Sequence, residues 1–176
     1  MLENVKINFE TIELMDFFWQ TAARKEKLAD SYLLDIANRP EMEAVYTDDF
    51  NSNSVRKVLS AVINYEPVNE ATSKELEFYQ SNKFFADDPG NVELTLPTIK
   101  TLNVNYLKEK FSGDTKYDSV QINFVPAYDL TDKIEDNILT INFFKLKIDF
   151  TDFETVLVND QKLVDYIESK LETILK

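Results

Sequence analysis

Midway along the chain the spacing of apolar side chains changes, and that change limits the fold more than any other feature of the sequence. Through the first half, apolar positions recur every three or four residues, the period of a helix with one buried face. Through the second half they mostly alternate, the period of a strand. Neither an all-helical bundle nor an all-β barrel accommodates both patterns, so the expected class is α+β. The expected architecture is a helical N-terminal half packed with a mainly antiparallel sheet of four or five strands and closed by a C-terminal helix.

In the first half, Val5, Ile7 and Phe9 alternate with Lys6 and Asn8 and read as a short strand (5–9) that joins the sheet. From Ile12 the series Met15, Trp19, Ala22, Glu26, Ala29, Leu33 and Ile36 steps as one face of a single long helix, ended where Asn38 and Arg39 meet Pro40. Such a seam also fits a coiled-coil dimer, but Leu14, Phe17, Phe18 and Leu34 widen it beyond a two-position stripe and favour a helix packed into its own core. A short helix follows Pro40. Next comes an amphipathic helix that buries Val55, Val58, Leu59, Val62 and Ile63 and is closed by Pro67. Thr72 and Glu75 have capping-box spacing and announce another helix, with Leu76, Tyr79 and Phe84 directed inward.

The segment Asp-Asp-Pro-Gly-Asn at 87–91 is dense in turn formers and too short to be a flexible linker. Residues 1–176 therefore read as a single domain with a helical part (10–86) and a sheet-rich part (92–176). In the latter, Val92, Leu94 and Leu96 read as a strand halted by Pro97, and Val104, Leu107 and Phe111 as one side of a short helix. Val120, Ile122 and Phe124 form a strand ended by Pro126. The longest strand candidate spans 138–150. Its two apolar sets, Leu139, Ile141 and Phe143, then Phe144, Leu146, Ile148 and Phe150, differ in phase by one residue. A β-bulge near Phe143 and Phe144 accounts for the shift, as does burial of the first half on both faces. A final strand at 154–158, a turn at Asn159 and Asp160, and a helix from about Asp165 with Leu163, Ile167, Leu171 and Ile174 inward complete the chain. A short pattern (apolar, polar, Ile, Asn, Phe) recurs at 5–9, 120–124 and, with Leu139 leading, 139–143.

Composition then restricts the chemistry. The 176 residues include no His, no Cys and only 2 Gly. Zinc sites of the usual kinds, iron–sulfur clusters and His- or Cys-ligated haem are excluded, together with Ser-His-Asp and Cys-His catalysis. Gly90 and Gly113 lie in neither a Walker loop nor a dinucleotide fingerprint. No cofactor or metal ligand set is expected. The loop from Asp114 to Asp118 beside Gly113 lacks the alternating order and closing Glu of a calcium loop, and its acids read as turn formers. A carboxylate pair for glycoside hydrolysis cannot be singled out among so many loop acids. Phosphoryl transfer lacks clustered cations, since Arg24, Arg39 and Arg56 are far apart in the chain. Lys108 and Lys110 near Ser112 read as the solvated end of a helix.

With 32 acidic against 19 basic side chains, the net charge is −13. Such a chain repels phosphate backbones and anionic lipid, so neither nucleic acid nor a membrane is an expected partner. A protein with a basic surface is. The carboxylates are spread along both halves, so the charge belongs to the folded surface. The start Met1-Leu2-Glu3 shows no basic and apolar leader, and no apolar run approaches membrane-spanning length, so a soluble, cytoplasmic protein is expected. The most distinctive surface element is the long acidic connection at 128–137, where Tyr128 stands with Asp129, Asp132, Glu135 and Asp136. An aromatic ring beside four carboxylates suits contact with Lys or Arg of a partner. The expected function is a non-catalytic protein-binding domain for a basic partner, in the manner of immunity proteins, inhibitors or chaperones. A carboxylate-based, metal-dependent hydrolase is the alternative, and a structural or homo-oligomeric assembly subunit a further one.

Overall fold

The computed structural model describes residues 1–176. It is α+β, with a four-stranded mixed sheet, a small three-stranded antiparallel sheet and helices around them. Strand β1 (Asn4–Asn8) is followed by α1 (Glu10–Ala23), α2 (Asp30–Ala37), a 3-10 turn (Pro40–Val45) and α3 (Ser52–Ile63). Helices α4 (Ser73–Asp87), α5 (Gly90–Lys100) and α6 (Tyr106–Lys110) lead to β2 (Ser119–Val125), β3 (Asp132–Glu135) and β4 (Ile138–Asn142). A 3-10 turn (Phe143–Lys145) then connects to β5 (Lys147–Ile148), β6 (Val156–Val158), β7 (Gln161–Lys162) and α7 (Leu163–Leu175). No helix is long and apolar enough to cross a membrane.

The N-terminal strand joins the sheet as expected, but the sheet is not mainly antiparallel. Its order is β1-β2-β4-β3, with β1 and β2 parallel, β2 and β4 parallel, and only the edge strand β3 antiparallel. All helices from α1 to α6 lie in the crossover between β1 and β2, a parallel pair that no tight hairpin could join. The recurrent pattern identifies β1, β2 and β4, which lie side by side. Ile7 stands opposite Ile122, and Ile122 opposite Leu139, on one face; Asn8, Asn123 and Thr140 share the other.

The expected long first helix is two helices. Arg24, Lys25, Glu26 and Lys27 interrupt the seam, Lys25 takes a left-handed backbone (φ 58°), and α2 starts afresh at Asp30. Four consecutive charges at a would-be buried position are better solvated in a turn, where Lys27 Nζ also donates to the Ile63 carbonyl at 3.1 Å. Helix α3 buries the expected face, and Asn51 and Ser54 cap it reciprocally. Thr72 and Glu75 form the expected capping box of α4. The buried face of α4, however, is Glu75, Phe78, Asn82 and Ala86, while Leu76 and Phe84 are exposed.

The expected strand at 92–96 is helix α5. Val92, Thr95, Leu96 and Ile99 are buried at helical spacing, and Leu94 is exposed. Pro97 lies inside α5 on the same exposed face as Glu93, so the carbonyl that loses its helical partner is on the solvent side. The turn at 87–91 therefore joins two helices, and the helical part runs on to Lys110. The expected strand 138–150 is also divided. Asn142 ends β4 by accepting from Phe144 N at 3.1 Å, and one 3-10 turn, rather than a single bulged residue, resets the phase. Leu139–Asn142 are buried on both faces, whereas Phe150 is exposed. Asn159 and Asp160, both left-handed, make the expected turn between β6 and β7, and α7 starts at Leu163 rather than Asp165. One cluster of 42 buried residues extends from Leu2 to Leu175, with Trp19, Phe50, Phe78 and Phe124 fully enclosed.

Candidate functional site

The acidic connection at 128–137 is partly regular structure: β3 occupies its centre and pairs with β4. Tyr128 is half-buried, its ring edge-on to Phe50 with centroids 5.0 Å apart and Lys74 Nζ 4.9 Å from its own centroid. Asp129 pairs with Lys145, which holds its carboxyl below the usual range. Asp132 pairs with Lys170 at 3.1 Å, and Glu135 with Lys133 at 3.6 Å. Asp136 is the left-handed residue (φ 52°) of the turn into β4. The fold brings Tyr128 and Asp129 together at one end of β3, with Glu135 and Asp136 at the other. Three of the four carboxylates already have a cation from this chain.

Two other carboxylates, Glu41 and Glu75, are buried. Glu41 Oε1 accepts from Asn8 Nδ2 at 2.9 Å, and Oε2 from Thr11 Oγ1 at 2.6 Å and Arg39 Nε at 3.1 Å. Burial opposes its ionisation, but these donors together prevail and hold its carboxyl below the ordinary Glu value. Glu75 is governed by the same balance: burial against the Thr72 amide, Ser54 and Lys57. Both carboxyls are held below the ordinary Glu value, the reverse of the raised pKa that a general acid needs. No three acidic side chains gather as a metal-binding group. The loop at 114–118 ties the termini, with Asp118 O accepting from Glu3 N at 2.7 Å and Lys116 N donating to Leu175 O at 2.9 Å.

The most developed concave apolar surface lies elsewhere. A groove of about 350 Å³ runs between the end of α4, the outer face of α5, the turn at 143–145 and β5. Its floor is aromatic: Phe85, Phe143 and Phe144 all pack on the buried Trp19, at centroid distances of 5.0, 5.8 and 5.7 Å. Its walls carry Phe84, Leu94 and Phe150, which are 58%, 46% and 72% exposed. Consecutive Phe84 and Phe85 cannot share one helix face, so burying Phe85 leaves Phe84 in solvent. Phe150 belongs to the loop Asp149–Glu154, where it meets Phe153 edge-on at 5.9 Å. That loop is locked by its own acids. Asp149 Oδ1 accepts from Thr151 N at 2.9 Å and Asp152 Oδ1 from Thr155 N at 3.0 Å, which holds Phe153 left-handed (φ 57°) and both rings outward.

Sequence patterning assigned Phe84, Leu94 and Phe150 to the core and so missed this surface. The usable signals were the Phe84-Phe85 pair and the repeat Asp-Phe-Thr-Asp-Phe-Glu at 149–154, which no single buried face absorbs. No match decides between readings. Neither the family models nor the curated proteins nor the solved structures compared with the chain resemble it significantly.

Proposed function

We propose that the protein is a non-catalytic, acidic protein-binding domain that engages a partner with a basic surface. The observation that carries this reading is the loop Asp149–Glu154, which presents two exposed aromatic rings among three carboxylates beside an apolar groove. None of Asp149, Asp152 and Glu154 has a cation of this chain within ion-pairing distance. Exposed aromatics with uncompensated charge are the chemistry of a protein contact, and the overall excess of 13 negative charges attracts the basic partner from a distance. The buried carboxylates support the same reading, since both are bound to donors of the fold itself.

Capture from native lysate, followed by titration of the purified captured protein by calorimetry at low and high salt, tests the reading. A basic partner whose affinity falls steeply with salt is expected. Capture of no basic protein, or an affinity indifferent to salt, refutes it.

A further inference from the structure

We propose that the aromatic groove between α4, α5 and β5 is the socket for apolar anchor side chains of a Lys- or Arg-flanked segment of that partner. This inference rests on the acidic-binding reading and adds the place and chemistry of the contact. The groove offers what a buried hot spot requires: an aromatic floor fixed from below by Trp19 and a concave volume of about 350 Å³, enough for a few apolar side chains. Phe84, Leu94 and Phe150 are large apolar groups that folding leaves in water, and each loses that exposure when an anchor enters.

Charge identifies the occupant. Asp87 and Asp88 stand between the groove's Phe85 and Asn91, and Asp149 and Asp152 flank Phe150, while Lys83 precedes Phe84 and Lys145 lies between Phe144 and Leu146. Lys83 pairs with Asp87 at 3.5 Å and Lys145 with Asp129, which leaves Asp88, Asp149 and Asp152 without a cation partner. Lys147 is the single charged residue that lines the groove; its alkyl stem extends the apolar wall, and its ammonium is outnumbered by those three carboxylates of the adjoining segments. An apolar centre with three such carboxylates in the adjoining segments matches apolar anchors with cationic neighbours. A second copy of this chain is a poor occupant, because two molecules of net charge −13 repel one another.

The probe is a fluorescein-labelled synthetic amphipathic peptide of Leu, Phe and Lys without Trp, with counterparts in which Glu replaces Lys or Ser replaces the apolar residues. Binding to the full chain is read by anisotropy at low salt, and by emission of Trp19, the only Trp, which lies beneath the groove. The Lys peptide is expected to bind and to change Trp19 emission. Phe150→Ser and Leu94→Ser are each expected to weaken it about tenfold, with unchanged circular dichroism and thermal midpoint, because both side chains are already exposed. Asp88→Asn and Asp149→Asn, which keep the acceptors of the local turns, are expected to weaken binding and flatten its salt dependence.

Unchanged affinity in the Phe150 and Leu94 variants overturns the socket while leaving the acidic-surface reading in place. Equal binding of the Glu peptide, or tighter binding of dodecanoate than of the Lys peptide, overturns the charge assignment. Failure of the Lys peptide to bind the wild-type chain also overturns the socket, while failure of the reading beneath it appears separately, as the absence of any salt-sensitive basic partner.

Discussion

Replacing Glu41 by Ala tests the buried polar centre at the end of β1. Glu41 is 9% exposed and accepts from Asn8, Thr11 and Arg39. Truncation leaves two neutral donors without partners, Asn8 Nδ2 and Thr11 Oγ1, each costing about 1–3 kcal/mol while buried. Arg39 has a side chain 26% exposed and a second partner in Glu10, so it regains water and keeps part of its pairing. The expected total is about 3–5 kcal/mol, the range for breaking a buried pair by removing one member, out of roughly 5–15 kcal/mol for a native domain. Glu41→Gln keeps one acceptor and the volume, and is expected to cost about 1–3 kcal/mol. The carboxyl's folded pKa lies below its unfolded value near 4.5. Its stabilisation is therefore fully present above that value and is lost as pH falls through the lower folded pKa. Urea denaturation at neutral pH and at several values below 4.5 measures both effects, and the gap between wild type and Glu41→Gln should narrow with acidification. A cost under about 1 kcal/mol for Glu41→Ala, or a gap indifferent to pH, refutes the reasoning.

Asn82 is fully buried, accepting from Trp19 Nε1 at 3.0 Å and donating to the Phe78 carbonyl at 2.8 Å. Asn82→Ala orphans the indole N–H and is expected to cost about 1–3 kcal/mol, with a change in Trp19 emission that an intact bond would not show. Thr72→Ala removes the α4 N-cap and should cost about 1 kcal/mol by urea titration, because Glu75 keeps its bond to the Thr72 amide. Asp129→Asn weakens the exposed pair with Lys145 and should leave the thermal midpoint unchanged; a clear drop would show that this pair contributes to folding.

The parts of the fold readable in advance are those whose cause is local. The α3 face, the box of Thr72 and Glu75, the turn at Asn159 and Asp160, and the burial of Leu163, Ile167, Leu171 and Ile174 each depend on residues within a few positions of one another. Errors arose where one local pattern admits two structures. Val92, Leu94 and Leu96 alternate like a strand, yet Val92, Thr95, Leu96 and Ile99 serve a helix equally well, and packing of α5 against α4 selects the second. On α4, polar Glu75 and Asn82 are buried because distant Lys57 and Trp19 supply partners, which turns Phe84 outward. The groove is illegible in the sequence for the same reason: Phe84, Leu94 and Phe150 carry the hydrophobicity of core residues, and only the assembled fold shows them unburied. The acidic connection reads as a loop in the sequence, whereas its centre is strand β3, and its ion pairs with Lys145 and Lys170 join residues far apart in sequence.

By itself, then, the sequence determined the α+β class, the participation of an N-terminal strand in the sheet, the caps of α3 and α4, and the absence of side chains for His- or Cys-based chemistry, all consequences of composition or short-range spacing. Tertiary structure alone decided three further things. The sheet is mixed because a crossover of six helices returns β2 beside β1 in the same direction. The carboxylates divide into those neutralised by distant cations and those left free. The aromatic residues divide likewise, into a floor packed on Trp19 and a rim in water, since the finite space around one indole admits Phe85, Phe143 and Phe144 while Phe84 and Phe150 remain outside.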